Sequence, residues 1–429
     1  MNEDTEITQT RVLIVGAGPA GLGVSLALKQ AGVTDQLVVD AREIGAAFKA
    51  WPKGMSLLTP SFFSNSFGLT DLNSIDPDTS PADFLHTQHP KGKGYADYLQ
   101  AIVSHFKLPV QTGVKILNVQ ELCSGFAVDS SDGPIQADYI VWAAGQFFFP
   151  REKDFPGAEY ALHNSKVKDW ADLEGDSFSI IGGYESGVDA ALNLVNLGKN
   201  VRLISNGEPW ASDHPDPSRS LSPRTLDRLR ELLQDKEKAK LIDFVKDTTI
   251  KKIEKGDGFW TLRDQDDIPI ASNTRPILAN GFQSGLGLVE EFFERDEHNL
   301  PVFSEEADES TITPGLFYSG PSLVHRNALF CFIYKYRQRF GIVANAIARS
   351  LGIETDEFVK KEDRFTIKWT SDRIFDARYK VTPLGLGGSD DEDANAHRLF
   401  DQGALHRGKK TSDLLSPFQC HQIIFLPPK

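Results

Sequence analysis

Cysteine is scarce in this chain. Cys123, Cys331 and Cys420 stand far apart and no two form a C-x-x-C pair, which leaves neither a disulfide framework nor a dithiol redox motif. No apolar run reaches the roughly eighteen residues needed to span a bilayer. Basic side chains are outnumbered, 46 Lys and Arg against 60 Asp and Glu, for a net charge of −14. That balance disfavours nucleic acid and anionic membrane surfaces, both of which ask for a basic face. The opening residues, Met1-Asn2-Glu3-Asp4-Thr5-Glu6, lack the basic and apolar regions of a signal peptide, so a cytoplasmic location is expected. His86 and His89 with Asp83 have no second cluster at ligand spacing, so a solvated loop is expected and no metal. The stretch Ser212-Asp213-His214-Pro215-Asp216-Pro217-Ser218 holds the residue types of a hydrolase triad, but its turn formers make it a surface loop. Gly183-Tyr184-Glu185-Ser186-Gly187 places its serine fourth rather than third, so it is no nucleophile elbow.

What the chain does have is 429 residues, 40% hydrophobic and 25% charged, enough for two or three cores and for work on a small-molecule substrate. Self-association is left open. The apolar strand Val12-Leu13-Ile14-Val15 runs into Gly16-Ala17-Gly18-Pro19-Ala20-Gly21 and then a helical stretch, and a second strand ends in Asp40. This is a dinucleotide-binding βαβ unit. Gly16 permits the tight turn, Gly18 lets backbone approach a pyrophosphate, and Gly21 lets helix and strand pack closely. Asp40 is placed to accept hydrogen bonds from a ribose.

A second such turn follows Ile180-Ile181, as Gly182-Gly183-Tyr184-Glu185-Ser186-Gly187. Its middle glycine is replaced by Tyr184, whose side chain is expected to crowd the pyrophosphate. Glu185 adds negative charge at the helix start. After the next strand, Ser205-Asn206-Gly207 offers neither an acid for a ribose nor an arginine pair for a 2′-phosphate. Three readings stay open: a nicotinamide in a modified pose, a domain that only shields its neighbour, or gating by Tyr184.

The order of elements suggests an α/β fold with two Rossmann-like domains, the second inserted into the first. The expected divisions are 1–152 for the first part of one domain, 153–275 for the insert, 276–353 for the return, and 354–429 for a C-terminal extension without a recognisable motif. Residues 46–90 read as a loop-heavy excursion, 95–106 as a helix and 139–142 as a buried strand. A polar, helical insertion is expected at 222–246. Ile277-Leu278-Ala279-Asn280-Gly281 repeats the strand-then-glycine pattern of Val141 to Gly145. A return strand precedes Gly320, and a long helix is expected over 328–351. Lys335, Arg337 and Arg339 are expected to be solvated or paired, and Cys331 a buried small hydrophobe.

These residues resemble flavoproteins with two dinucleotide domains: the flavin-containing and Baeyer–Villiger-type monooxygenases and the thioredoxin reductase-like group. The resemblance rests on Gly16 to Gly21, Asp40, Ala143-Ala144-Gly145 before Pro150, and the second turn after Phe155-Pro156-Gly157, His163 and Trp170. It implies FAD in the first site, NAD(P)H in the insert, and flavin reduction before attack on oxygen or a disulfide. It also puts Gly145 near the pyrophosphate, Trp51 to Pro60 along the ring system and Gly320 near the ribityl chain. Cofactor contacts are then expected from Gly16, Gly18, Pro19, Ala20, Gly21, Asp40, Trp51, Gly145, Gly182, Gly183, Tyr184, Glu185, Ser186, Gly187 and Gly320. Trp51, Thr59, Asn65, His325 and Arg326 are the candidates for catalysis. Three departures stand out. The C-x-x-C is missing, the usual Gly-Asp is Gly320-Pro321, and the F-x-G…H…W spacings are longer than the monooxygenase pattern. The expected function is an FAD-dependent oxidoreductase reduced by NAD(P)H, with oxygen or a small organic molecule as acceptor. The alternatives are an oxidase or disulfide reductase with a degenerate nicotinamide site, or a non-catalytic flavin-bound partner protein.

Overall fold

The computed structural model describes residues 7–62, 70–212, 214, 216–326 and 328–362. The chain opens with β1 (Thr8–Val15), α1 (Pro19–Gln30) and β2 (Gln36–Asp40). β1 and β2 pair in parallel, Val12 opposite Gln36. Val12, Leu13 and Ile14 are completely buried, as a strand covered on both faces must be. Pro19 opens α1, where its missing N–H leaves nothing unsatisfied. Next come α2 (Ala46–Lys49), α3 (Pro81–Leu85) and α4 (Gly92–Phe106), the last burying Tyr95, Tyr98, Leu99, Ile102 and Val103 along one stripe. β3 (Val110–Thr112), β4 (Ile116–Glu121), β5 (Phe126–Ser130) and β6 (Gly133–Trp142) complete the first half. The sheet order is β3-β2-β1-β6-β5-β4, parallel up to β6 and antiparallel beyond it.

The second sheet is built from β7 (Leu162–His163), β8 (Ser177–Ile181), α5 (Glu185–Asn196), β9 (Asn200–Ile204), α6 (Pro223–Gln234), α7 (Lys236–Ala239) and β10 (Ile242–Val245). A small antiparallel sheet follows: β11 (Lys252–Lys255), β12 (Trp260–Arg263) and β13 (Pro269–Ser272). Then comes β14 (Ile277–Leu278), which lies between β8 and β7. This moves a boundary, because residues 277–278 belong to the second sheet and the return to the first comes after them. The expected helical insertion at 222–246 is also only partly helical, since β10 pairs in parallel with β9 and extends the sheet.

β15 (Leu316–Tyr318) pairs with β6 and closes the first sheet where the strand before Gly320 was expected. The helix expected from 328 starts later. A hairpin of β16 (Val324–His325) and β17 (Ala328–Leu329) precedes α8 (Ile333–Tyr336), and a tighter turn at Arg337–Arg339 separates it from α9 (Phe340–Ser350). α10 (Asp356–Glu362) is the last described element. α9 crosses α1 at Gly23, where a Cβ would lie 1.9 Å from the Phe340 ring, so only glycine admits the crossing. Arg339 is buried, and its guanidinium hydrogen-bonds both carboxylate oxygens of buried Asp308. Arg337 donates to the carbonyls of Asp71 and Ser74, and burial pushes it down to about 10. Arg339 is therefore paired, as one of the two expectations had it, but inside the core, and Arg337 is an internal tie to backbone carbonyls. Cys331, expected inside, is exposed.

Candidate functional site: two matched dinucleotide turns

At the first turn Gly16 has φ +118°, and a Cβ there would stand 2.3 Å from the Ala143 carbonyl oxygen. Only glycine fits both constraints. A Cβ on Gly21 would lie 1.9 Å from the Gly16 oxygen, so its absence sets how closely α1 approaches β1. Gly18 differs. Its backbone is extended (φ −88°, ψ −177°), and a Cβ there meets nothing within 4 Å. The space over Gly18 is open, at an α1 N-terminus with no side-chain cap and no acid in its first turn. Free amides and the helix dipole make that end an anion site. Asp40 accepts from the Ala17 and Arg42 amides, each at 2.8 Å. One bond per oxygen leaves lone pairs for ribose hydroxyls. Gly145 (φ +69°) faces open space, and Gly320 (φ +146°) sits with its Cβ position 3.9 Å from Ala20 Cβ. A pyrophosphate and ribose fit these residues.

The second turn repeats this backbone geometry closely. Gly182 has φ +112° and a Cβ position 2.3 Å from the Ala279 oxygen, and Gly187 lies 1.8 Å from the Gly182 oxygen by the same measure. The Gly16 amide bonds Val39 at 2.7 Å and the Gly182 amide bonds Ile204 at 2.8 Å. Ala143 to Val15 and Ala279 to Ile181 are both 2.8 Å. Gly281 stands where Gly145 does, with φ +88° and no Cβ neighbour within 4 Å. Tyr184 takes the place of Gly18 with almost the same backbone (φ −86°, ψ −167°), an extended conformation open to any residue. Its ring is 47% exposed and its hydroxyl lies 3.5 Å from the Arg219 carbonyl. The substitution alters what borders the turn and leaves the turn's backbone unchanged.

Two differences remain. Ser205 replaces Asp40: it is buried, its Oγ has no hydrogen-bond partner among the described residues, and it packs so tightly that a Cβ on Gly183 would lie 2.4 Å from that Oγ. Glu185 finds partners at the start of α6. Its carboxylate accepts from the Ser222 amide and the Thr225 hydroxyl, pinning the start of α6, and burial pushes its acidity weaker. Ser186, half-buried, is the second residue of α5. Arg202 reaches Asp243 on the adjoining strand.

The ends of the two sheets meet. The Gln283 amide bonds Phe149 at 2.7 Å, Arg151 bonds Gly281 at 3.1 Å, and the Trp142 indole bonds Gly285 at 2.6 Å. Lys53 pairs with Asp169 at 2.7 Å, and Lys335 reaches Asp216 at 2.7 Å and Ser218 at 2.6 Å. Trp51 is half-buried, its ring 4.9 Å from Phe48, and the Thr59 carbonyl accepts from Asn73 at 2.8 Å. Asn65 lies outside the described residues. His325 is buried with Nε2 2.6 Å from Asp308, inside the Arg339 cluster, and Arg326 pairs with Glu305 at 2.9 Å. His325 is thus held in a buried ion-pair cluster, whereas Arg326 pairs at the surface with its side chain 46% exposed. His163, the fingerprint histidine, is buried and bonded to the Gly281 carbonyl at 3.0 Å. The sequence reading did not name Gly281 among the cofactor contacts, where the structure makes it the counterpart of Gly145. Its signal was its place in the strand-then-glycine repeat.

A family model described as pyridine nucleotide-disulphide oxidoreductase matches residues 13–320. The chain belongs to that family. Membership of the pyridine nucleotide-disulphide oxidoreductases implies FAD and NAD(P)H as cofactors. The chain is 27% identical over 187 residues to an uncharacterized CzcO-like oxidoreductase of Geobacillus kaustophilus, covering 43% of this chain and 51% of that protein. The match thus spans about half that relative's length. Against the bacilliredoxin reductase Bdr of Bacillus subtilis the identity is 24% over 345 residues, 80% of this chain and 98% of the relative. A flavin-containing monooxygenase from Stenotrophomonas maltophilia has the same fold, with TM-score 0.61 and 15% identity over 80% of this chain and all of that one. Among the described residues no helix is long and apolar enough to cross a membrane, and no group of three or more His, Cys, Asp or Glu could hold a metal.

Proposed function

We propose that this oxidoreductase takes hydride from NAD(P)H onto FAD and passes the electrons to oxygen or to a small organic substrate. The observation that carries the reading is the identity of backbone geometry at the two turns, Gly16 with Gly182 and Gly21 with Gly187. Bound FAD would supply a two-electron carrier between nicotinamide and acceptor. The α1 amides and Gly18 hold its pyrophosphate, Asp40 orients its ribose, and Trp51 and Thr59 border its ring. The α5 N-terminus receives the nicotinamide dinucleotide, with Tyr184 beside it. Residues 145–151 and 281–285 hold the two sites against each other. Stopped-flow mixing with NADPH and then NADH, without oxygen, tests this through flavin absorbance near ~450 nm. Fast bleaching by either supports it. Bound flavin that neither bleaches sinks it.

A second reading is favoured by the long match to a bacilliredoxin reductase: NAD(P)H and a proton reduce a low-molecular-weight disulfide to two thiols. Cys331 is exposed, 3.2 Å from the Ser218 hydroxyl. Reoxidation of the reduced flavin separates the two. Oxygen with a substrate as the fast oxidant supports the first reading, and a disulfide with Cys331→Ser slowed supports the second.

A further inference from the structure

We infer that Arg42 and Phe148 form a clasp over the adenosine half of the FAD, held in place from the second sheet. The proposal rests on the first turn being the FAD site. The Arg42 guanidinium lies 3.9 Å above the centre of the Phe148 ring. The two residues come from different strand ends, after β2 and after β6, and so bridge the crevice where strand order turns. Arg42 follows Asp40 by two residues and donates its amide to that carboxylate, which puts its side chain at the ribose acceptor. Its guanidinium has no ion pair among the described residues. Phe148 is 36% exposed, an aromatic face left open at the mouth of the site.

Both partners suit this ligand. A guanidinium answers the pyrophosphate charge, and a flat cation or a ring presents a face to adenine. What holds Phe148 is an aromatic chain. Its ring meets Phe147 edge-on at 5.6 Å, Phe147 stacks on Phe282 at 5.6 Å, and Phe282 meets His163 edge-on at 5.2 Å. His163 is bonded to the carbonyl of Gly281, the counterpart of Gly145. Four aromatic rings therefore connect the FAD clasp to the nicotinamide-side turn. The geometry makes FAD retention depend on Phe282 as well, although Phe282 follows β14 of the other sheet.

The test is the rate at which the holoprotein releases flavin on dilution, followed by the rise of free-flavin fluorescence, with titration of the released apoprotein by FAD and by FMN. FMN lacks the adenosine half. Arg42→Ala and Phe148→Ala are expected to weaken FAD ~10-fold each, about 1.4 kcal/mol, and to leave FMN unchanged. Arg42→Lys, which keeps charge but not planarity, should fall between, and Phe282→Ala should weaken FAD less. Phe148→Leu, with circular dichroism matching the parent, covers the case in which the alanine variant fails to fold. Unchanged FAD release in Arg42→Ala and Phe148→Leu overturns the clasp. So does equal weakening of FAD and FMN, which would mean general loosening. A parent protein that binds no FAD would instead remove the flavin reading beneath it.

Discussion

Asp76 sits almost fully buried in the pocket behind α1 beside Gln30 and Arg337. Desolvation by burial pushes its carboxyl up to about 6, against partial relief from the Asp78 amide. A folded-state value above the unfolded one favours the neutral acid. Stability from this group is therefore complete below about pH 4 and lost as pH rises through about 6. Asp76→Asn should raise urea stability by about 1–3 kcal/mol at pH 7 and change little at pH 4. Equal gains at both values would discard the account. Asp308 is buried between two partners, Arg339 and His325. Arg339→Met leaves that carboxylate facing only His325 and should cost about 3–5 kcal/mol in urea unfolding. Residue identity told little of this, because alternating basic residues in sequence do not say which are drawn into a core. Arg337 and Arg339 are internal through the tight turn at Arg337–Arg339, which helical periodicity did not anticipate.

At the scale of elements the proposed function rests on the two βαβ units. Gly16→Ala would place a methyl 2.3 Å from a carbonyl at φ +118°, so both strain and collision act, and the purified protein should lose most of its flavin. Absorbance near ~450 nm per chain measures it. Tyr184 permits a subtler test. Its backbone already matches Gly18, so Tyr184→Gly should preserve flavin content and melting temperature while lowering the nicotinamide KM severalfold. An unchanged KM would exclude crowding by the ring, leaving the domain's role to be sought elsewhere. The motif spacing exposed both turns, since glycines at fixed offsets answer local contacts between a turn and its own helix. The pose of Tyr184 was illegible because it depends on Arg219, 35 residues away. The partners of Glu185 were illegible for the same reason. Its partners lie on α6.

For the whole molecule, the loop at 216–220 of the inserted unit docks on the segment from Cys331 to Lys335. Burial alone would weaken the Asp216 acid, but hydrogen bonds from Lys335 and Ser218 outweigh it and hold the carboxyl below its usual range. A depressed value gives stability present above about pH 4 and lost as pH falls below it. Lys335→Met should therefore loosen the loop at neutral pH, seen as faster amide exchange over 216–220, and make little difference under acid conditions. Slow exchange unaffected by the substitution would remove the link. The dinucleotide turns and the βαβ units built on them were legible in the chain alone, because local sterics and burial of consecutive apolar residues act over a few positions. Membership of β14 in the second sheet, the hairpin at 324–329, the exposure of Cys331 and the bridge from Arg42 to His163 were decided by tertiary packing. Apart from the hairpin, whose strands are neighbours in sequence, each joins groups far apart in the chain, and the chain closes such contacts only where burial and hydrogen bonding of the assembled sheets outweigh the entropy of bringing them together.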